Sequence, residues 1–130
     1  MTFDALGIAG TGMNLHRRYL DATADNLSNV NTASAMGGEA FRARYVLAQE
    51  GQEHGAFVRS VELGDGQGRI VHQPDHPLAD EDGYVRYPDI DLGEQMGNLI
   101  LAQRGYQANA AVVDRARATY ESALQIGRQQ

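Results

Sequence analysis

The chain has 130 residues, 42% of them hydrophobic, with no cysteine, no tryptophan and a formal net charge of -6. That length suits one compact domain, or a small domain flanked by long helices. The missing cysteines exclude a disulfide framework and a thiolate metal site, and no apolar run approaches the roughly 18 residues that span a bilayer. The charge is uneven: residues 39–94 hold 12 acidic and 5 basic side chains, and residues 95–130 hold 2 acidic and 4 basic. An acidic middle disfavours nucleic-acid binding, which needs clustered positive charge. All 11 basic residues are arginine.

The first residues, MTFDALGIAG, lack a basic region followed by an apolar stretch, so no secretory signal peptide is expected. The protein then either stays in the cytoplasm or leaves by a route that reads no cleavable signal. A helix is expected over residues 4–31, capped by Thr2 or Asp4. Leu6, Met13, Leu20 and Leu27 recur in it every seventh residue. Ala9, His16, Thr23 and Val30 form a second, mixed row between them. Gly7, Gly10 and Gly12 weaken the first turns by about 1 kcal/mol each relative to alanine, so residues 1–12 are expected to order only when packed. The helix runs out in Asn26-Leu27-Ser28-Asn29-Val30-Asn31-Thr32, whose side chains compete for backbone hydrogen bonds.

The middle, residues 37–90, holds all three prolines. Alternating patterns predict strands over 41–46, 57–63, 69–72 and 84–87, the third following a Gly64–Gly68 turn and the last ending at Pro88. From Asp91 a helix is expected to about Gly127, some 37 residues or about 55 Å. Its positions 92, 96, 99, 103, 106, 110, 113, 117, 120 and 124 alternate steps of four and three. Leu92, Met96, Leu99, Tyr106, Ala110, Val113, Tyr120 and Leu124 make eight of those ten apolar or aromatic, which is a coiled-coil seam. Gln95, Asn98, Gln103, Gln107, Asn109, Thr119, Ser122 and Gln125 leave a neutral polar surface, expected to meet protein or to line a wet channel. The expected fold is α+β, mainly α: two long terminal helices paired as a coiled coil (1–36 and 91–130) with a small β-rich insert (37–90) between them.

Little in this pattern carries chemistry. Gly7-Ile8-Ala9-Gly10-Thr11-Gly12 resembles a phosphate loop, but too few residues precede it for the strand such a loop follows. The structural reading of those glycines is close helix approach. His72 and His76 have ligand spacing, yet Pro74 between them forbids the helix that would align them, and metal sites need three or four convergent ligands. Asp80-Glu81-Asp82-Gly83 lacks the distal glutamate of a calcium loop and reads as an acidic turn. No carboxylate pair has an apolar setting to tune it, and no Gly-x-Ser-x-Gly elbow is present. No catalytic residue, metal or cofactor is assigned.

Two runs match a known family. Asn26, Leu27, Asn29, Asn31 and Thr32, after Ala24, resemble the N-terminal motif of flagellar axial proteins: rod, hook and hook-associated subunits. Arg104, Tyr106, Gln107, Ala108 and Asn109 resemble the C-terminal partner motif, with Gly105 standing where alanine or serine is usual. Pro74, His76, Pro77, Asp80, Gly83, Tyr84, Val85 and Pro88 resemble the block of the C-type proximal-rod subunits, with Asp89 where asparagine is common. The resemblance spans nearly the whole chain.

It implies a structural subunit of the flagellar basal-body rod, with terminal helices paired in the inner layer of a helical tube. Its implied partners are copies of itself, other proximal and distal rod subunits, the rotor ring and export-gate adaptor at the rod base, and the flagellar type III export apparatus. It implies export without a cleavable signal, a place in the rod as it crosses the periplasm, and no membrane insertion. A helical-hairpin adaptor that binds a partner helix shares the heptads and is the second reading from the residues alone.

Overall fold

The structure is a computed structural model describing residues 2–128. The segment ends at Met1, Gln129 and Gln130 lie outside the described residues, as do the side chains of Thr2 and Phe3. Six elements follow in order: α1 (Thr2–Ser28), β1 (Arg44–Glu50), β2 (Ala56–Leu63), β3 (Arg69–His72), β4 (Tyr84–Tyr87) and α2 (Leu92–Arg128). The architecture is two long helices with a β insert of two separate sheets between them.

Helix α1 includes the three early glycines and begins two residues before the expected start, with Asp4 in its first turn, where the helix dipole favours an acid. It stops three residues early because Asn29 takes over its last carbonyls. The Asn29 side-chain amide donates to Asp25 O at 2.8 Å, and its oxygen accepts from the Thr32 hydroxyl at 3.1 Å. Helix α2 is capped by Asp91, whose Oδ1 accepts the Glu94 N–H at 2.8 Å.

The helices run antiparallel. Gly12 faces Asn109, His16 faces Gly105, and Asn26 bonds Gln95, so the pairing climbs one helix as it descends the other. α2, with 37 residues, is longer than α1, with 27. The row of α2 that meets α1 is Gln95, Leu99, Ala102, Tyr106, Asn109, Val113 and Ala116, all buried or half-buried.

The two β sheets have different attachments. β1 and β2 form an antiparallel hairpin with a bulge at Leu47/Ala48, and it lies back along α1. At its tip, the Thr11 hydroxyl accepts the Ala56 N–H at 3.2 Å while donating to Ile8 O at 2.7 Å. Leu15, buried, faces the Ala56, Phe57 and Val58 side of that hairpin. α1 is thus packed by α2 on one side and by the hairpin on another, and β1 faces α2 across a cleft lined by Tyr45, Val46, Leu47, Asn98 and Leu101. β1 starts three residues later than the alternation predicted and continues to Glu50; just before it the chain still bonds across to Gly64, whose N–H donates to Ala43 O at 2.7 Å and whose carbonyl accepts from Arg42 Nε at 2.8 Å.

β3 and β4 pair separately, tied to the segment after α1 through Ser34 and Arg86, which exchange backbone hydrogen bonds of 2.7 and 2.9 Å. The Arg86 guanidinium also donates to Gln67 O and to Met36 O. The buried hydrophobic residues among those described are Ala9, Leu15, Ala40, Ala43, Val85 and Ala102. Four of those six are alanines. Full burial of a large aliphatic side chain stabilises by about 1.5–3 kcal/mol, and this core holds few of them.

Candidate assembly site at the helix junction

Asn26 is 1% exposed and joins three elements. Its Nδ2 donates to Arg44 O at 3.0 Å and to Gln95 Oε1 at 3.0 Å, while its Oδ1 accepts the Arg44 N–H at 2.8 Å. A side-chain amide has the same donor and acceptor as a peptide unit. Asn26 therefore pairs with Arg44 as a neighbouring strand residue would and reaches α2 with its remaining hydrogen. Gln95 is 2% exposed, and in such a place an amide left unbonded costs about 1–3 kcal/mol. Asp25 adds an ion pair to Arg44 at 2.7 Å, with both side chains partly exposed; pairs of that kind contribute at most about 1 kcal/mol.

The rest of the N-terminal run divides its work. Leu27 is half-buried, Asn29 and Thr32 end the helix, and Asn31 is exposed. The C-terminal run splits by face. Tyr106 and Asn109 turn toward α1, with Asn109 Nδ2 donating to Gly105 O at 2.8 Å. Arg104, Gln107 and Ala108 are exposed.

The predicted rows fall as follows. Leu6, Met13, Leu20 and Leu27 are half-buried, as are Leu99, Tyr106 and Val113. Leu92, Met96, Tyr120 and Leu124 are exposed. Within one chain the second row of α2 is set one residue earlier than its apolar pattern suggested, with Gln95, Ala102, Asn109 and Ala116 where Met96, Gln103, Ala110 and Arg117 were expected. Two causes act here: small alanines admit close approach, and the amides of Gln95 and Asn109 have bonding partners that a hydropathy pattern does not register. Gln95 and Asn109 are accordingly not on the outward polar face to which the sequence assigned them.

The block between β3 and β4 is a turn built around Asp80. Its Oδ1 accepts N–H groups from Asp82 at 3.1 Å and Tyr84 at 2.7 Å, and its own N–H donates to Tyr84 O at 3.0 Å. Gly83 has φ +82°, and an added Cβ would lie 3.0 Å from His72 Nε2 and from Pro74 Cβ. His72 packs its ring against Tyr84, and His76 Nδ1 accepts the Leu78 N–H at 3.1 Å. Val85 is fully buried, as is Pro88, while Pro74 and Pro77 are exposed and His76 is half-buried. Sequence reasoning missed Arg44 and Arg86 as anchors; an arginine within a short strand carries no signature of its own.

Antiparallel terminal helices joined through a buried amide, with motif residues on both, define a helical-hairpin subunit of the flagellar axial class. Residues 81–126 match the family model described as flagellar basal body rod FlgEFG protein C-terminal. Proteins named flagellar basal-body rod protein FlgC are similar over most of their length. The one from Yersinia enterocolitica is 36% identical, over 92% of this chain and 93% of its own. That from Salmonella typhimurium is 33% identical over 92% and 93%, and that from Aquifex aeolicus 32% over 92% of both. The chain belongs to the FlgC family of flagellar basal-body rod proteins, whose members are structural proteins.

Proposed function

We propose that the chain polymerises through its terminal helices into the proximal rod, the part of the axial drive shaft that carries rotation outward from the rotor. The observation that carries this reading is the imbalance of its surface. The buried core is mostly alanine, while Leu92, Met96, Ile100 and Leu124 stay exposed along α2. Such a helix gains its cover from neighbours. In the assembly the paired helices pack as a coiled coil in the inner layer, with the β insert outward. Torque then passes through many repeated contacts of a head-to-tail, non-closing lattice.

The partners in this reading are further copies of the chain, the other proximal and distal rod subunits, and the ring and export-gate adaptor at the rod base. The chain reaches its place across the periplasm through the flagellar type III export apparatus without a cleavable signal. A thin core favours such passage, since little stability opposes unfolding.

The test is Tyr106→Asp, which places a charge in the helix row. The expected result is normal synthesis with no rod assembly and no swimming. Swimming at the wild-type rate overturns the packing argument. Loss of rod incorporation when the flagellar secretion apparatus is disabled tests the export route.

A further inference from the structure

Two aspartates stand directly before a glycine, Asp65 and Asp82, and the fold treats them differently. Such a pair is a chemical weak point. Glycine has no side chain to keep its nitrogen from the aspartate Cγ, so the carboxyl can close on its own backbone. Closure is favoured further by a carboxyl folded over the following peptide and by a glycine N–H that no hydrogen bond holds.

Asp65 meets all three conditions. It is exposed in the turn between β2 and β3. Its Oδ1 accepts the Gln67 N–H at 2.9 Å, which folds the carboxyl over the intervening peptide. The Gly66 carbonyl accepts the Ala40 N–H at 2.8 Å, whereas the Gly66 N–H donates to no partner among the described residues. The other acidic turn lacks one condition at each aspartate. Asp80 makes the same side-chain turn onto the Asp82 N–H at 3.1 Å, but Glu81 follows it, and a side chain there hinders the nitrogen. Asp82 has its glycine, but Gly83 is buried and its N–H donates to Asp80 O at 3.0 Å.

We propose that Asp65–Gly66 is a site of spontaneous backbone isomerisation and that the fold holds Asp82–Gly83 against the same reaction. The Gly66 nitrogen attacks Cγ of the protonated Asp65 carboxyl. An N–Cγ bond forms, the Cγ–OH bond breaks, and the hydroxyl leaves with the amide proton as water. Water then reopens the five-membered imide. Opening at Cγ restores aspartate, and opening at the Asp65 main-chain carbonyl leaves isoaspartate, with the chain running through Cγ. Water is the one co-reactant, and the isoaspartate content rises with the age of the chain. The product adds a methylene to a turn that also holds the Ala40 N–H and, through Gln67 O, the Arg86 guanidinium. Those bonds tie the turn to the segment after α1, so isomerisation loosens the join between the two sheets.

The sequence makes the test direct. Trypsin cleavage after Arg59, Arg69 and Arg86 puts Asp65 on peptide 60–69 and Asp82 on peptide 70–86. Purified full-length chain is aged in weakly acidic buffer and digested. The peptides are then probed with a protein isoaspartate methyltransferase and S-adenosylmethionine carrying a labelled methyl group. The expected result is label that grows with ageing time on peptide 60–69 and stays several-fold lower on 70–86. Equal label on the two, or more on 70–86, overturns the assignment. Chain aged in guanidinium chloride is expected to lose the bias, and a bias that persists there overturns the protection of Asp82 by the fold. Gly66→Ala is the second measurement. Gly66 does not adopt a positive φ, and a Cβ there would meet the end of the Glu39 side chain at 3.2 Å, so the turn accepts alanine. Label on peptide 60–69 is expected to fall several-fold in that variant, and undiminished label overturns the proposed attack by the Gly66 nitrogen. Amide exchange at Ala40 is expected to speed up in the isoaspartyl fraction, and unchanged exchange overturns the loosening.

Discussion

Gly105 lies directly against the imidazole of His16, so that a Cβ added at Gly105 would stand 2.6 Å from His16 Nδ1 and nearer still to other ring atoms. This accounts for the glycine within the C-terminal motif, where any side chain would meet the ring. The glycine costs about 1 kcal/mol of helix propensity and admits a ring that alanine would expel.

Gly105→Ala is therefore expected to destabilise the chain by about 1–3 kcal/mol, the usual effect of overpacking, although propensity alone predicts a gain. His16→Ala in the same chain is expected to reverse the sign and make Gly105→Ala neutral or favourable. Urea unfolding of the two single variants and the double variant gives the coupling directly. Additive effects would show that the two residues do not share the space.

A second expectation concerns Asn26. Asn26→Ala leaves the Arg44 N–H and C=O and the Gln95 amide without their partner, and each buried orphan costs about 1–3 kcal/mol. A loss of about 3 kcal/mol or more is expected. Asn26→Asp is the sharper probe, because a carboxylate still accepts from Arg44 N–H and no longer donates to Arg44 O or Gln95 Oε1. Pairing it with Gln95→Met should recover part of the loss by removing one of the opposing acceptors. An Asn26→Asp chain as stable as the wild type would mean that the donated bonds contribute nothing.

Helix and strand placement was legible wherever a period and a stop signal coincided. The 69–72 and 84–87 strands and the long C-terminal helix all sit between glycine, proline or aspartate punctuation, and the structure places them within a residue of the expected bounds. The face of α2 was not legible in full. Met96 is the more apolar residue and Gln95 the more buried, since a buried amide is stable only when bonded and its partner, Asn26, lies 69 positions away. The same holds for Gly12 and Asn109: close approach of glycine to a helix was readable, and which residue it approaches was not. Side-chain partners distant in sequence leave no periodic trace.

Gly83→Ala tests the turn that the proximal-rod block builds. A positive φ disfavours alanine, and the new Cβ would also crowd His72 and Pro74. A cost of about 1–3 kcal/mol is expected, localised to the β3–β4 loop. Asp80→Asn keeps the Oδ1 acceptor for Asp82 N and Tyr84 N and should be nearly neutral, whereas Asp80→Ala should lose about 1–2 kcal/mol. Hydrogen exchange at the Tyr84 amide reads both. Equal protection of that amide in the wild type and Asp80→Ala would exclude the carboxylate as the organiser of the loop.

Thr11 holds the tip of the β1–β2 hairpin to α1 through one hydroxyl that donates to Ile8 O and accepts from Ala56 N–H. Beside it His54 and Gly55 both adopt positive φ, at 85° and 92°, and an added Cβ at Gly55 would lie 2.6 Å from Thr11 Oγ1. The tip therefore turns sharply just where it touches the helix. Thr11→Val keeps the shape and removes the acceptor, leaving the Ala56 N–H to water or to no partner. Loss of about 1 kcal/mol locally corresponds to roughly fivefold more frequent opening of the tip, and because that opening is local, global stability should change less. Faster protease cleavage between residues 51 and 55, with α1 and α2 still protected, is the expected outcome. Cleavage spreading at once into α1 would mean instead that hairpin and helix open as a single unit, with the Thr11 contact part of the global fold rather than a latch on one edge of it.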